Sequence, residues 1–234
     1  MENINNMARI VFLCSGGGGN LRFIKQAIDN GWLSHSSLVA VLTDRKCEAN
    51  EYARLCNIDN KCADFSQPDQ KELIEWLDFY QPDIVITTVH RILCSVIVDK
   101  YRGKLINLHY SLLPAFGGYI GAQPVKKAIS YGAQFTGVTV HLVDESLDSG
   151  KPLVQAVIPL RSSENIDDIM DLVFRCGCIS LVSAIKCLCN DQSDQCSIEN
   201  VVRIKDRNCM FGHVINLPDE IYNEIFWQKI RSPK

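Results

Sequence analysis

Residues 8 to 31 of the chain read ARIVFLCSGGGGNLRFIKQAIDNG. The apolar run Ala8–Ser15 predicts a buried parallel strand. Asn20–Gly31 predicts a helix, because its apolar residues recur at helical spacing. Four consecutive glycines join the two and form a tight turn. A strand, a glycine turn and a helix in this order are typical of the first unit of an α/β fold.

The glycine turn has two interpretations. Glycines let the backbone approach a bound anion closely, and the amides at the start of the next helix point at it. The candidate phosphate-binding residues are therefore Gly16, Gly17, Gly18, Gly19 and Asn20. Neither the dinucleotide fingerprint nor a Walker loop is met, since the required third glycine and the Gly-Lys-Ser/Thr are missing. The alternative is a connection without a ligand, but such a turn needs only one or two glycines, which favours phosphate binding.

Strands and helices are predicted to alternate along the rest of the chain. The further predicted strands are Leu38–Thr43, Lys61–Phe65, Asp83–Val89, Leu105–His109, Phe135–Val143, Leu153–Leu160 and Val201–Ile204. The further predicted helices are Ala49–Cys56, a capped helix Pro68–Tyr80, a segment ending near Tyr101, Gln123–Gly132 and Ile166–Leu188. Period-2 alternation around Val154–Ile158 indicates an antiparallel edge strand, and Asp191–Glu199 is a polar break. The order predicts a doubly wound, mostly parallel Rossmann-like sheet with helices on both faces, in one domain over 1–234 with a flexible start at 1–7.

Composition limits the function classes. The net charge of −3 over 234 residues argues against a broad basic surface for nucleic acid or anionic membrane. No apolar run is long enough to span a membrane, and the polar start lacks the features of a signal peptide, so we expect a cytoplasmic protein. Eleven scattered cysteines indicate reduced, buried thiols rather than a disulfide framework. Cys176/Cys178 and Cys187/Cys189 are two residues apart within a helix, a spacing unsuited to a metal, so we expect no metal site.

Two polar residues lie at the end of a strand near the middle of the chain. Residues 105–114 read LINLHYSLLP, and Asn107 and His109 share one face of the predicted strand. An amide donor then lies beside an imidazole that exchanges a proton near neutral pH. The turn Ser111–Pro114 puts this pair at the carboxyl end of the strand, where open α/β sheets bind ligands. Alternatively, both side chains are simply satisfied within the core.

A second stretch adds an acid. Residues 136–153 read TGVTVHLVDESLDSGKPL, a β run followed by an acidic loop that Gly150 and Pro152 close. Three features together resemble the folate-dependent formyltransferase family: the motif Asn107-x-His109, the SLLP turn after it, and Leu-Asp148-Ser-Gly in this loop. The resemblance covers residues 8–160 well and the rest of the chain, including the carboxyl-terminal tail 192–234, only loosely.

The resemblance implies an enzyme that moves a formyl group from 10-formyltetrahydrofolate to the amine of a small, phosphorylated substrate. The most familiar acceptor is phosphoribosylglycinamide of purine biosynthesis. Asn107 would donate a hydrogen bond to the oxyanion of the tetrahedral adduct. His109 would be cationic beside it or manage the protons, and Asp148 would favour the protonated imidazole or relay protons through a water. No side-chain nucleophile is needed.

Binding residues follow from the same resemblance. It assigns the folate pocket to His90, Arg91, Ile92, Leu93, Val143, Asp144 and Asp148. It also puts Lys71, in the first turn of a helix, beside the substrate phosphate. Lys71 has a second interpretation as a solvated surface lysine, and His90 as a polar residue at the rim.

Two departures from the family pattern leave the acceptor open. Tyr110 follows the candidate catalytic histidine where relatives commonly have proline. Gly177 and Cys178 stand where an acidic residue of the late helix holds the ribose. A nucleotide-linked amino sugar or another specialised amine is therefore an alternative acceptor, and a non-catalytic folate-binding module is an alternative function. The expected partners are the amine and folate, without nucleic acid or membrane, for a monomer or homodimer.

Overall fold

The computed structural model describes residues 7–161, 164–189, 201–212 and 218–231. The described residues up to Asn107, with Val143–Glu145, form one compact unit. Leu108–Leu142 and the described residues from Ser146 onward form a second unit. That the whole chain folds as one domain stays a prediction.

The first unit contains parallel strands alternating with helices. Its strands are β1 (Ala8–Cys14), β2 (Ser36–Thr43), β3 (Asp59–Cys62), β4 (Ile84–Thr87) and the first three residues of β5 (Leu105–His109). They are ordered β3-β2-β1-β4-β5, and every pair is parallel. The helices are α1 (Gly19–Asp29), α2 (Glu48–Leu55), α3 (Lys71–Tyr80) and α4 (Ser95–Lys100). The strand order reverses at β1, which makes the sheet doubly wound.

Apolar residues of the central strands form the core of this unit. Ile10 to Leu13 of β1 are completely buried. Leu73 and Leu77, one helical turn apart on α3, pack into the same cluster as Val11 and Leu13. Because a central parallel strand is covered on both sides, its sequence is apolar, as Ile10–Cys14 is after the exposed Arg9 at the strand start.

The second unit is built around antiparallel strands. They are β6 (Phe135–Leu142), β7 (Pro152–Pro159), β8 (Val201–Ile204) and β9 (Arg207–Phe211), in the order β6-β7-β9-β8. Its helices are α5 (Gln123–Tyr131), α6 (Ile166–Leu188), α7 (Glu224–Arg231) and a 3-10 turn at Asp219–Tyr222. The long helix α6 packs on β6 and β7. Among the described residues, no helix is both long and apolar enough to span a membrane.

The predicted α/β class with a mostly parallel sheet is confirmed, and several details are corrected. The capped helix from Pro68 is wrong: α3 begins at Lys71, because Gln70 has a left-handed φ of 43° and no side chain caps the helix. The third strand is Asp59–Cys62 rather than Lys61–Phe65. β7 is antiparallel as predicted but is no edge, since β9 pairs with it opposite β6. Strand β9 and helix α7 were not predicted, whereas the prediction for Asp191–Glu199 and most of 1–7 lies outside the described residues.

Candidate active site

His109 ends strand β5 and is buried, with 7% of its side chain exposed. Its Nδ1 lies 3.5 Å from Oδ2 of Asp148, and its Nε2 lies 3.1 Å from the carbonyl oxygen of Phe116. A carbonyl only accepts, so the neutral ring carries its proton on Nε2. A second proton, on Nδ1, then faces the carboxylate. The predicted approach of His109 and Asp148 is present in the structure.

Asp148 is held in place by the backbone of its surroundings. Its φ is 53°, its side chain is 9% exposed, and its Oδ2 accepts a 2.7 Å hydrogen bond from the amide of Gly118. Gly150 brings the acidic loop back against β6, since a Cβ there would lie 1.7 Å from the carbonyl oxygen of Leu142. The amide of Leu142 donates to the carbonyl of Lys151 and closes the loop. The carboxylate is thus buried and oriented before any ligand binds.

A second histidine, which sequence reasoning missed, lies on the other side of this carboxylate. His141 near the end of β6 has its Nε2 3.7 Å from Oδ1 of Asp148, and it is 2% exposed. Its Nδ1 is 2.8 Å from the carbonyl oxygen of Leu142, which fixes the neutral tautomer with the proton on Nδ1. At 3.7 Å the contact with Asp148 is electrostatic rather than a hydrogen bond. The available signal was a histidine inside an apolar strand just before the acidic loop.

The turn after His109 is fixed by a buried hydroxyl. Thr139 of β6 donates to the carbonyl of Ser111 at 2.7 Å and accepts from the amide of Leu113 at 3.1 Å. Gln155 of β7 donates to the same hydroxyl and to the carbonyl of Leu113. These bonds fix the turn that leads from His109 to Phe116.

Asn107 lies two residues before His109 on β5. It is half-buried, and its Cα partner in β4 is Thr87. Its predicted role as the oxyanion donor stays a prediction.

The glycine turn leads from β1 into α1. Gly18 is the N-cap of α1, with a φ of 70° and its would-be Cβ 3.1 Å from that of Ala49, so this position requires glycine. Gly16 and Gly17 are exposed, whereas Gly19 and Asn20 are half-buried at the helix start. Helix α1 has no acidic residue in its first turn.

An acid nevertheless lies close to this turn. Oε2 of Glu48, the first residue of α2, would be 3.4 Å from a Cβ at Gly17. The same oxygen is 3.6 Å from Nη2 of Arg22, a guanidinium buried on α1, while the Glu48 side chain is 77% exposed. Sequence reasoning missed both residues, because their approach depends on how α1 and α2 pack. A phosphate at the turn would meet the negative charge of Glu48 unless that side chain rotates away.

Lys71 is the first residue of α3, as predicted for the first turn. Its side chain is 78% exposed, and its Nζ forms an ion pair with Asp69 at 3.2 Å. A role for Lys71 in phosphate binding stays a prediction.

The predicted folate-binding residues differ in exposure. His90, Arg91 and Ile92 are exposed. Leu93 is buried in the core cluster of the first unit, and Val143 packs against the same cluster. The amide of Val143 donates to the carbonyl of Leu105, at 2.9 Å, and the predicted folate residue next to it, Asp144, is half-buried. Leu93 and Val143 thus belong to one apolar cluster of the first unit, and their role in folate binding stays a prediction.

Gly177 on helix α6 faces the two residues that flank His109. A Cβ at Gly177 would lie 3.0 Å from Leu108 Cδ2 and 3.5 Å from Tyr110 Cε1. The neighbouring Cys178 is completely buried. No acidic side chain stands at this point of α6, as the sequence indicated.

Asp171 is a buried acidic residue of α6 that precedes Gly177, and its carboxylate already forms ion pairs. Its side chain, 7% exposed, forms ion pairs with Arg175, with Lys205 at 2.8 Å and with Arg231. These ion pairs link α6 to the residue after β8 and to the end of α7, all within the second unit.

Several cysteines are buried and carry no charge. Cys14, Cys176, Cys178 and Cys209 are buried, and all the described cysteines are free thiols. Burial raises the pKa of the Cys14 thiol well above its ordinary value, and it does the same to the pKa of Cys178. Within the described ranges no group of three His, Cys, Asp or Glu residues could hold a metal ion.

Comparison with known proteins gives one consistent family. A model of the formyl transferase family matches residues 8–185. The chain is 33% identical over 168 residues to the phosphoribosylglycinamide formyltransferase of Escherichia coli, covering 68% of this chain and 77% of that protein. It is 30% identical over 192 residues to the chloroplastic phosphoribosylglycinamide formyltransferase of Vigna unguiculata, covering 79% of this chain and 62% of that protein.

A solved structure agrees with these relatives. The glycinamide ribonucleotide transformylase 1 of Symbiobacterium toebii superposes with a TM-score of 0.73 at 25% identity. The match covers 88% of this chain and 94% of that one.

Proposed function

The chain belongs to the formyl transferase family, and we propose that it transfers a formyl group from 10-formyltetrahydrofolate to the amine of a small phosphorylated substrate. Phosphoribosylglycinamide is the first acceptor to test, because two relatives carry that activity in their names. The chain spans 62% of the length of one of them and 77% of the other.

One observation carries the proposal: the buried pair of His109 and Asp148 at the carboxyl end of β5. Both ring nitrogens of His109 face oxygen atoms, one a carboxylate and one a carbonyl. A ring with a proton on each nitrogen can donate to both of these oxygen atoms. A fixed positive charge is what an oxyanion needs when it forms in a site that excludes water.

The reaction needs proton management and charge stabilisation rather than a nucleophile. The amine nitrogen forms a bond to the formyl carbon, the bond from that carbon to the donor nitrogen breaks, and one proton moves from the amine to the leaving nitrogen. His109 is the group suited to carry this proton, and Asp148 keeps the ring oriented. Asn107, two residues earlier on β5, is suited to donate a hydrogen bond to the oxyanion.

The residues of the predicted donor pocket fit a folate. Leu93 and Val143 anchor this stretch in the apolar core of the first unit, and the segment from His90 to Ile92 is exposed. The donor supplies the activated formyl group when bound. The chain's contribution is to hold its ring system.

The acceptor site is supported by the glycine turn. Gly16, Gly17 and Gly18 precede the eleven-residue helix α1, which begins at Gly19, and a glycine turn at a helix start is suited to bind a phosphate through backbone amides. Lys71 is a candidate for its charge. Nucleotide-linked amino sugars carry the same chemical groups, a phosphate and a primary amine, and are the second acceptor class.

Steady-state kinetics tests the proposal. We expect the purified protein to release tetrahydrofolate, followed by its absorbance, in proportion to phosphoribosylglycinamide or a related phosphorylated amine. Release without any amine measures hydrolysis and serves as the control. A protein that binds folate tightly but releases none with any amine would be a non-catalytic binding module, and the proposed enzyme would be excluded.

The remaining expectations follow from the small size of both substrates. We propose a cytoplasmic enzyme that acts without nucleic acid or membrane, as a monomer or homodimer. Sedimentation of the purified protein measures the oligomeric state directly.

A further inference from the structure

Gln70 has two unusual properties for a residue in the loop before a helix. Its side chain is buried, with 3% of the residue exposed, and its φ of 43° is left-handed. A left-handed backbone is energetically unfavourable for a residue with a Cβ, and it persists where contacts with the surrounding structure stabilise it. The hydrogen bonds of the Gln70 side chain therefore show which segments it stabilises.

The Gln70 amide group binds backbone from two other segments. Its Nε2 donates to the carbonyl oxygens of Phe65 at 3.0 Å and of Ile92 at 2.9 Å. Its Oε1 accepts from the amide of Cys94 at 2.9 Å. Both amide hydrogens are therefore used, and the side chain spans both ends of the segment Ile92–Cys94.

Two further interactions join the same segments. The Cys94 thiol lies 3.8 Å from the carbonyl oxygen of Asp69, within reach of a weak hydrogen bond. Hydrogen bonds from the Ser66 hydroxyl, Gln67 and the Ser66 amide, together with the charge of Arg91, lower the pKa of Asp64 to about 2. Gln70 and Asp69 thus contact Ile92 and Cys94, and Asp64 is close enough to Arg91 to feel its charge.

The segment from Arg91 to Cys94 has no regular secondary structure to fix it. It follows β4 and precedes α4 as a loop, and Ile92 is 77% exposed. Leu93 points into the core, so its side chain fixes only the middle of the segment. The carbonyl before Leu93 and the amide after it are fixed by Gln70.

We propose that Gln70 is a positioning residue for the formyl donor, because it fixes the backbone groups of Ile92–Cys94 against which the donor's ring system binds. The inference rests on the proposed function, since the donor-binding role of this segment is part of it. Gln70 is buried and bonds to the loop, so its effect is on the affinity for the donor.

Two substitutions test the role from opposite sides. Gln70→Glu keeps the size and the acceptor for the Cys94 amide, but it puts a carboxylate oxygen against two carbonyl oxygens. Gln70→Gly removes the side chain and accommodates the left-handed backbone, so the fold is retained. The matched control is Gln81→Ala: Gln81 is exposed at the other end of α3 and has a φ of 45°.

The readout is the KM for 10-formyltetrahydrofolate compared with the KM for the amine. We expect both Gln70 variants to raise the donor KM about tenfold, since hydrogen bonds that order the segment are lost. The amine KM should change by a smaller factor, and the Gln81 variant should match the wild type. A donor KM within twofold of the wild type in both Gln70 variants, or an equal rise of both KM values, overturns the inference.

Amide hydrogen exchange gives a second, independent measurement. We expect the Cys94 amide to exchange faster in Gln70→Gly than in the wild type or the Gln81 variant, and unchanged exchange overturns the inference. If the proposed function is wrong, the wild-type protein itself shows no turnover. Failure of the inference shows as wild-type donor KM or Cys94 exchange in the Gln70 variants.

Discussion

Asp148 is the residue on which the chemistry of the candidate site depends most. Two buried imidazoles lie on either side of its carboxylate, His109 at 3.5 Å and His141 at 3.7 Å. The amide of Gly118 supplies a hydrogen bond to the oxygen near His109. Asp148 therefore balances the charge of whichever ring is protonated, which a neutral residue of the same shape cannot do.

Asp148→Asn should lower kcat by about a hundredfold or more, with little change in either KM, because His109 loses its charged partner for proton transfer. Steady-state kinetics at saturating donor measures the change. The matched control is Glu145→Gln, an exposed acid of the same loop that pairs with Arg102. A kcat within threefold of the wild type for Asp148→Asn would exclude Asp148 from the chemistry.

Gly150→Ala should prevent correct closure of the acidic loop, since its Cβ would lie 1.7 Å from the carbonyl oxygen of Leu142. We expect a loss of about 3 kcal/mol or more of stability, by overpacking against backbone that cannot move aside. Urea unfolding measures it. Gly16→Ala is the control, because Gly16, like Gly150, has no left-handed φ, and nothing lies within 4 Å of its would-be Cβ. Equal losses in both variants would contradict the steric argument.

Among the elements, the glycine turn before α1 has the most direct consequence for the acceptor. The turn is predicted to bind the phosphate of the acceptor, yet the carboxylate of Glu48 lies beside Gly17. A phosphate and a carboxylate repel each other, and the repulsion depends on salt.

Glu48→Gln should lower the KM for a phosphorylated amine severalfold at low salt, with a smaller effect at high salt, because a like charge is removed from the phosphate site. Competition by inorganic phosphate measures the same site without turnover. Glu51→Gln on the same helix is the control, since Glu51 pairs with Arg54 on the exposed face. A turn that binds no phosphate would show no difference between the two variants.

Helix α7 is an element held by charge. Arg175 of α6 donates both terminal nitrogens to Glu224, at 2.7 and 2.6 Å, and its guanidinium lies over the ring of Trp227. The hydrogen bond from Arg175 lowers the pKa of Glu224 below its usual range. A carboxyl with a lowered folded-state pKa contributes stability above its unfolded pKa and loses that contribution as the pH falls through the folded pKa.

Glu224→Gln should therefore reduce stability near neutral pH by about 1 kcal/mol, a value kept small because Glu224 is more than half exposed. The difference between variant and wild type should shrink below about pH 4, as the wild-type carboxyl becomes protonated. Thermal unfolding across that range measures it, with Glu220→Gln as the control. A difference that is independent of pH would show that packing, not charge, holds α7.

Sequence reasoning succeeds where pattern alone decides the structure. The apolar run of β1 and the 23-residue helix α6 have patterns long enough to be recognised. Strand β9 has only five residues and begins with a charged arginine, so its pattern is too short. Helix α3 begins at Lys71 and not at Pro68, because Gln70 is left-handed and its side chain forms hydrogen bonds to residues more than twenty positions away.

Some residues of the candidate site can be predicted from the sequence and others cannot. Asn107-x-His109 and Asp148 are recognisable by order and spacing, and the structure puts His109 and Asp148 together. His141 and Glu48 are not recognisable, because their proximity to the site depends on how a loop and two helices pack. Local spacing can predict which residues share an element, but it cannot predict which elements bring distant residues together.

For the whole molecule, the residues predicted for the donor and those predicted for the acceptor differ in how closely they follow the family pattern. Arg91-Ile92-Leu93 and Asp148, predicted for the donor, match the pattern. Of the residues predicted for the acceptor, Tyr110 follows the histidine and Gly177 stands where an acid is expected. The space beside Gly177 is already filled by Leu108 and Tyr110, so a larger side chain would have to displace them.

We therefore expect tight folate binding together with weak use of phosphoribosylglycinamide, and a better acceptor among its phosphorylated analogues or nucleotide-linked amino sugars. A carboxylate that holds ribose hydroxyls contributes about 1.5–3 kcal/mol, or roughly ten- to hundredfold in affinity. The described part of α6 offers no replacement near Gly177, because Asp171 is paired with Arg175, Lys205 and Arg231. Kinetics across this panel at saturating donor measures each KM, with folate affinity determined separately as the control. If phosphoribosylglycinamide proves the best acceptor at micromolar KM, the argument from Gly177 is wrong, and another residue must hold the ribose.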